Sequence, residues 1–355
     1  MPTPSICLVA ELPPPSGGMA VQAAWLTDLL RSAGQTVVNV QTNPLPPGSA
    51  WRRLPLARGI VNFYRFCRHL PRACAQSDIV HVFSNSYLSF FLFTAPAVLW
   101  AKWFDKPIVL HYHGGAAAAF LSRWGYLARP FIRSARTVIV PSSFLRETFT
   151  QNGVKTVEIP NVLAANLPYR KRTVLQPRLV MTRHLEPVYN IACGINAFRL
   201  VLDRHPGATI VIAGGGSERQ SLERLAEKLG LGKQVTFTGP ITNLEVLSLY
   251  DQSDIFVNSS NVDNQPVSIL EAFACGLAVV STAAGGIPHL VRDGEDALLA
   301  RVNDPADLAR QILRLLEEPA LGATITENGL MRSRAFSGSE IYRQLSLVYD
   351  EAMSS

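Results

Sequence analysis

Leu179-Val180-Met181-Thr182, a short apolar run just beyond the proline-flanked segment from Pro160 to Pro177, opens a second series of strands and so decides the fold. Strand candidates follow it at Ala208–Ala213, Gln234–Thr238, Asp254–Asn258 and Ala278–Ser281, each separated from the next by a segment of helical length. Apolar runs alternating with helices are the pattern of a parallel sheet covered on both faces. The amino-terminal half obeys the same grammar. Ile6-Cys7-Leu8-Val9-Ala10 runs through a Pro/Gly loop into a helix from about Val21 to Ala33, stopped by Gly34, and further runs stand at Thr36–Val40, Asp78–Phe83, Pro107–Tyr112 and Thr137–Val140. Between the halves, the stretch with the basic cluster Arg170-Lys171-Arg172 has no clear period and reads as a linker. Two Rossmann-like α/β domains are therefore expected, residues 1–165 and 174–337. Ligands of open parallel sheets bind beyond the carboxyl ends of the strands, so chemistry is expected in a cleft between two facing sets of strand-end loops.

Composition sets the outer limits. A chain of 355 residues with 48% hydrophobic and 17% charged residues can fill two cores and is too apolar to be disordered. Five scattered cysteines, an odd number without a C-x-x-C pair, suit reduced thiols, and Met1-Pro2-Thr3-Pro4-Ser5 lacks the basic start of a signal peptide. A cytoplasmic protein is expected. The net charge of +6 suits a phosphate-rich substrate or an anionic membrane surface, and no nucleic-acid partner is expected. Arg52, Arg53, Arg58, Arg65, Arg68 and Arg72 are interleaved with Trp51, Leu54, Ile60, Val61, Phe63, Tyr64, Phe66 and Leu70. That mixture suits an interfacial segment at the inner membrane face, and it suits equally a pair of surface helices whose arginines lie over the core. The apolar stretch from Tyr87 to Ala101 is shorter than the roughly 20 residues a span needs and contains Pro96, so a buried helix is expected.

The chemistry is concentrated in Val262-Asp263-Asn264-Gln265-Pro266-Val267-Ser268-Ile269-Leu270-Glu271-Ala272-Phe273-Ala274-Cys275-Gly276. It reads as a polar loop, a helix opened by a proline and a glycine stop. Free N–H groups near Pro266, Val267 and Ser268 suit a phosphate, and Asp263 and Glu271 flank them as acceptors for hydroxyls. A sugar nucleotide needs that combination. Glu271 interrupts an apolar helix, where a carboxylate requires a partner, whereas Asp263 on its own reads equally well as a helix cap. Gly214-Gly215-Gly216 is not a dinucleotide fingerprint, because Arg219 stands where the third glycine belongs, and it reads as a tight strand-to-helix turn.

With these residues in place the sequence resembles the retaining glycosyltransferases of family 4, which have the GT-B fold and a Glu-x7-Glu motif; Asp263 and Glu271 occupy its two positions. The resemblance continues through Pro15-Ser16-Gly17-Gly18-Met19, His113-Gly114-Gly115, Val140-Pro141-Ser142, Ile159-Pro160-Asn161, Arg183, Ala213-Gly214-Gly215-Gly216, Phe237-Thr238-Gly239 and Thr282-Ala283-Ala284-Gly285-Gly286-Ile287. It implies a transferase acting on a nucleotide-diphosphate sugar, with UDP the default base, and a glycan, lipid-linked or small-molecule acceptor. Glu271 would bond the ribose, Asp263 a sugar hydroxyl, and Gly17 and Gly18 the phosphates through backbone amides. Arg183 would neutralise the diphosphate, His113 would stand beside the anomeric carbon, and Gly239-Pro240-Ile241 would face the base. The family's last helix crosses back to the first domain, which is expected here for residues 338–355. No metal and no cofactor are implied, and there is no Asp-x-Asp pair.

Two departures bear on activity. Asp263 is shorter than the family's glutamate, and Tyr189 stands close to the site of the family's second phosphate cation, a lysine. A nucleotide-sugar-binding protein with weak or no catalysis is the alternative these departures support. An epimerase or phosphorylase would also use two Rossmann-like domains, but neither accounts for the Asp263-x7-Glu271 spacing.

Overall fold

The computed structural model describes residues 4–13, 18–44, 55–164 and 167–354; Gly17, Trp51, Arg52, Arg53 and Leu54 lie outside these. The chain divides into two compact units, one of Met1–Val162 with Gly338–Ser355 and the other of Leu163–Ser337.

The first unit contains a parallel sheet of β1 (Ile6–Ala10), β2 (Val37–Gln41), β3 (Ile79–Ser84), β4 (Ile108–Tyr112), β5 (Thr137–Val140) and β6 (Val157–Glu158) in the order β2-β1-β3-β4-β5-β6. Every residue of β1, β3, β4 and β5 is buried, as strands covered on both faces require. One face meets the helices Gly18–Ser32 and Gly338–Ser354; the other meets Pro55–Gln76, Ala95–Trp103 and Ala117–Ile132. Ile341, Leu345, Val348, Tyr349 and Ala352 form one buried stripe on the last helix. Each large apolar side chain so buried is worth about 1.5–3 kcal/mol, which fastens this helix to the first unit. The segment expected as a buried helix is instead Tyr87–Ser89, a π-helical stretch Phe90–Thr94 and the helix Ala95–Trp103. Only one side of it is buried: Ala97, Val98 and Ala101 pack into the core under the sheet, while Leu99, Trp100 and Trp103 face outward, where no described residue covers them.

The second unit repeats the plan with β7 (Arg178–Thr182), β8 (Thr209–Ala213), β9 (Val235–Gly239), β10 (Ile255–Asn258), β11 (Ala278–Thr282) and β12 (Leu298–Ala300), in the order β12-β11-β10-β7-β8-β9. The strand order reverses direction between β10 and β7, which run side by side with Leu179 opposite Ile255. At such a switch point the connections leave in opposite directions and open a crevice at the carboxyl ends.

The basic cluster expected in the linker belongs to this second unit. Arg172 is 6% exposed, and its guanidinium donates to the carbonyls of Ser253, Arg170, Cys275 and Tyr250 at 2.9, 2.9, 2.7 and 2.6 Å and lies 3.4 Å from Asp254. Tyr250 and Ser253 stand at the end of the helix Asn243–Gln252, and Cys275 caps the helix Val267–Ala274. Orphan carbonyls at two helix ends need donors, and one arginine supplies them to both.

Candidate active site

Arg183 directly follows β7, and Asp263 lies in the loop after β10, so the switch point brings the two together. Arg183 Nη2 pairs with Asp263 Oδ2, Nη1 lies 3.4 Å from Ser268 Oγ, and both charged side chains are largely buried. Burial raises the Asp263 carboxyl above its ordinary range, and Arg183 pulls it back toward the charged form. The guanidinium also lies over the ring of Tyr189, 4.3 Å from its centroid. The residue close to the family's lysine site therefore holds the arginine by a cation–π contact instead of supplying a second charge. Tyr189 is fixed in turn by Asn190, which adopts φ 45° and accepts from Cys193 N at 3.3 Å to cap the helix Ile191–Leu202.

No side chain caps the helix Val267–Ala274; Pro266 occupies its cap position, and Asp263 is committed to Arg183. The cap reading of Asp263 is thus not what the structure shows. Glu271, one turn inside the helix, accepts from Tyr250 Oη at 3.3 Å, and Thr182 Oγ1 lies 2.7 Å from the same phenol. Desolvation pushes the Glu271 carboxyl up to about 7, with Tyr250 and Arg183 acting in the other direction.

Glycines shape this site chiefly by close approach. A Cβ on Gly214, where φ is +146°, would overlap the carbonyl of Arg183, and one on Gly216 the carbonyl of Leu185. One on Gly286 would overlap the carbonyl of Asn264, beside Asp263. Gly286 N donates to Asp263 O at 2.7 Å, and Leu185 N to Gly215 O at 2.9 Å. Pro240 sits against Gly215, and Gly239 O accepts from Gly214 N at 3.0 Å, which places the Gly239-Pro240-Ile241 turn beside the Arg183 loop.

The remaining candidates stand in the first unit. Gly18 opens the helix that follows β1, and a Cβ there would meet no described atom within 4 Å. His113 follows β4, donates its backbone N–H to Ser84 O at 2.9 Å and stacks on Phe83 with ring centroids 4.7 Å apart. Burial brings its imidazole down to about 3, so the ring is neutral at ordinary pH. Gly114 is required beside it, because a Cβ would lie 2.5 Å from Ser86 Oγ and 2.8 Å from Asn85 Oδ1. Among the described residues no three His, Cys, Asp or Glu side chains are grouped to hold a metal ion.

The family model for glycosyl transferases group 1 matches residues 171–332, and that for the glycosyl transferase 4-like domain matches residues 17–162. The chain belongs to the group 1 glycosyltransferases. It is 29% identical to an exopolysaccharide phosphotransferase of Streptomyces coelicolor over 68% of this chain and 25% of the relative. It is 33% identical to the D-inositol 3-phosphate glycosyltransferase of Corynebacterium jeikeium over 44% of this chain and 39% of the relative. The matches thus span a quarter to two fifths of the length of these curated relatives. The structure of Anabaena HepE in complex with UDP-glucose superimposes with a TM-score of 0.75, at 19% identity, over 98% of this chain and 99% of that one. This likeness shows the fold, GT-B, with its two parallel α/β units.

Tyr250, Thr182 and Tyr189 join the candidates around Glu271 and Arg183; the sequence marks Tyr189 only as standing close to a missing lysine and gives no sign of the other two. Tyr250 is 21 residues from the carboxylate it donates to, on a different helix, and only the folded sheet brings the two together.

Proposed function

We propose that the protein transfers a sugar from a nucleotide-diphosphate donor to a glycan or lipid-linked acceptor, with retention at the anomeric carbon and without a metal ion. The observation that carries this reading is Arg183, a cation held at the topological switch point between Asp263 and Tyr189 and beside an uncapped helix start. A departing diphosphate gathers charge, and a preoriented guanidinium with helix N–H groups is the arrangement that stabilises it. Glu271 accepts from the ribose and Asp263 from a sugar hydroxyl; the resemblance gives Gly17 and Gly18 to the phosphates and His113, whose ring is neutral, to the sugar. UDP is the proposed base, in keeping with the UDP-glucose bound to HepE. A second reading, a nucleotide-sugar-binding protein with little catalysis, draws on Tyr189, which leaves Arg183 without a neighbouring lysine.

Calorimetry with UDP and GDP in EDTA tests the donor site. A ribose hydroxyl donates to the charged form of Glu271, so binding releases the proton that burial keeps on this carboxyl below about pH 7. Donor affinity is expected to rise from about pH 5.5 toward 7 and to level off above it. Glu271→Gln should bind weakly and without that slope. Absence of binding to every nucleoside diphosphate would remove both readings, while binding without turnover on any acceptor would leave the second.

For the acceptor side we propose peripheral contact with an anionic membrane. The helices Pro55–Gln76, Ala95–Trp103 and Ala117–Ile132 cover one face of the first sheet and contain no acidic residue. Outward they present exposed Arg68 and half-buried Arg58 and Arg65 with exposed Ile60, Tyr64, Trp100, Trp103 and Tyr126, the last 90% exposed. Cations mixed with interfacial aromatics match an anionic bilayer, each cation adding about 1 kcal/mol. No helix among the described residues is long and apolar enough to cross a membrane. Co-sedimentation is expected with anionic vesicles and not with neutral ones, reversed by salt and lost on changing Arg58, Arg65 and Arg68 together to Glu. Equal recovery in the supernatant with both lipids would redirect the search to soluble acceptors.

A further inference from the structure

Three histidines lie on the face of the first sheet that the helix Gly338–Ser354 covers. His81 and His111 are core positions of β3 and β4, 0% and 5% exposed, and His113 follows β4. Tyr349, 1% exposed, places its phenol oxygen 2.7 Å from His81 Nδ1, and His81 Nε2 lies 3.3 Å from His111 Nδ1. The rings of His111 and His113 are 4.3 Å apart, tilted by 36°. An aromatic column thus runs from the last helix, through two strands, to the ring assigned above to the donor sugar.

Donor and acceptor strength give the column a direction. A neutral imidazole has one N–H and one lone pair, and a phenol must place its single proton. If Tyr349 donates to His81 Nδ1, then His81 donates from Nε2 to His111 Nδ1, and every proton up to His111 has an acceptor. In the reverse order it is the phenol proton that has no acceptor among the described residues, and because a phenol is a stronger donor and a weaker acceptor than a neutral imidazole, the first order is favoured. The first arrangement leaves the proton of His111 on Nε2, an atom buried without a partner among the described residues. Desolvation, reinforced by the neighbouring imidazoles, holds His81 down at about 3 and His111 well below its ordinary range, so the variable is the tautomer and not the charge. Buried imidazoles cost more than the valine or isoleucine such strand positions usually hold, unless something depends on their polarity.

We propose that Tyr349, His81 and His111 are positioning residues for His113: the phenol fixes the tautomer along the column, and the ring dipole of His111 selects which nitrogen of His113 carries its proton. The inference rests on the reading of His113 as the residue beside the sugar. In that role the ring can offer either an N–H or a lone pair to a sugar oxygen, so the wrong tautomer turns a donor into an acceptor. The column also gives the returning last helix a function beyond packing, since it carries the phenol that starts the sequence.

Nitrogen-15 spectra of the full chain report imidazole tautomers without any substrate. The expected result is His81 and His111 both protonated on Nε2, with Tyr349→Phe shifting His81 toward Nδ1–H and altering the tautomer of His113. Turnover of Tyr349→Phe should fall by about ten- to a hundredfold at unchanged donor Kd, the size of effect a misplaced reacting group produces. In a His113→Ala background the same substitution should have no further effect. His81→Phe, which keeps a ring in the column and removes both nitrogens, should reproduce the loss. Nδ1–H tautomers in the wild-type protein, an unchanged His113 tautomer in Tyr349→Phe, or an equal loss with His113 absent would each overturn the proposal. Wild-type turnover by His113→Ala would instead remove the assignment of His113, and the spectra would still decide whether the column sets its tautomer.

Discussion

Arg172→Met is expected to lower the unfolding free energy of the second unit by about 3–5 kcal/mol, the usual cost of deleting one partner from a buried charged network. The side chain is 6% exposed and satisfies four carbonyls and one face of Asp254, itself 2% exposed. Methionine fills much of the same volume, so the loss reads out the hydrogen bonds and not a cavity. Desolvation lowers the guanidinium to about 10, which still leaves it charged at neutral pH. Without it, the carbonyl of Tyr250 loses a buried donor at about 1–3 kcal/mol before relaxation, those of Ser253 and Cys275 are left to Arg170, and Asp254 keeps its contacts with the more exposed Arg170 and Arg178. Arg172→Lys should recover little of this, because an ammonium cannot span carbonyls at two helix ends with its three donors. Urea unfolding followed by domain-specific probes is the measurement, since two units need not melt in one step. A shift below about 1 kcal/mol would mean that water replaces the guanidinium and that the segment is the plain linker its composition suggests.

That segment shows where the sequence runs out. Arg170-Lys171-Arg172 between prolines reads as solvated charge, because nothing local says that the partners are carbonyls of residues 250, 253 and 275. Strands were readable where they are buried on both faces and so form continuous apolar runs, as in β1, β3, β10 and β11. The strands β6 and β12, two and three residues long, are too short to stand out from loop. Among the candidate site residues, Arg183, Asp263 and Glu271 are singled out in the sequence by the resemblance and by the cost of a carboxylate in an apolar helix. The tyrosines were not. Tyr250 looks like any apolar helix residue until its hydroxyl is seen against Glu271, and Tyr189 reads as a missing lysine until Arg183 is found over its ring. Polar roles that depend on a single distal atom leave no periodic signature. His81 and His111 are similar: as strand residues they fit the pattern, and only the distances to Tyr349 and to each other make them a column.

Turnover by Arg183→Ala is expected to fall by about a hundred- to a thousandfold, the cost of removing one preoriented donor from a developing anion, or roughly 3–4 kcal/mol. The effect should be at the upper end, because Tyr189 supplies no second charge to share the leaving diphosphate. The pair with Asp263 makes a contrasting variant informative. The Asp263 carboxylate faces the cation proposed to engage the diphosphate, and its buried charge is sustained by that same arginine. Asp263→Asn removes the competing anion while leaving Arg183 and the ring beneath it in place. Free nucleoside diphosphate should therefore bind Asp263→Asn more tightly than the wild type, whereas sugar transfer should drop, since the hydroxyl acceptor that positions the sugar has been weakened. Tyr189→Phe keeps the aromatic face and should behave like the wild type; Tyr189→Ala frees the guanidinium and should lower turnover by several-fold, in line with about 1 kcal/mol for a partly buried cation–π contact. Isothermal titration with UDP and steady-state transfer assays on these variants separate the two roles. If Asp263→Asn weakened UDP and transfer together, the carboxylate would be holding the arginine in place rather than reaching the sugar, and the hydroxyl-binding assignment of Asp263 would have to be given up.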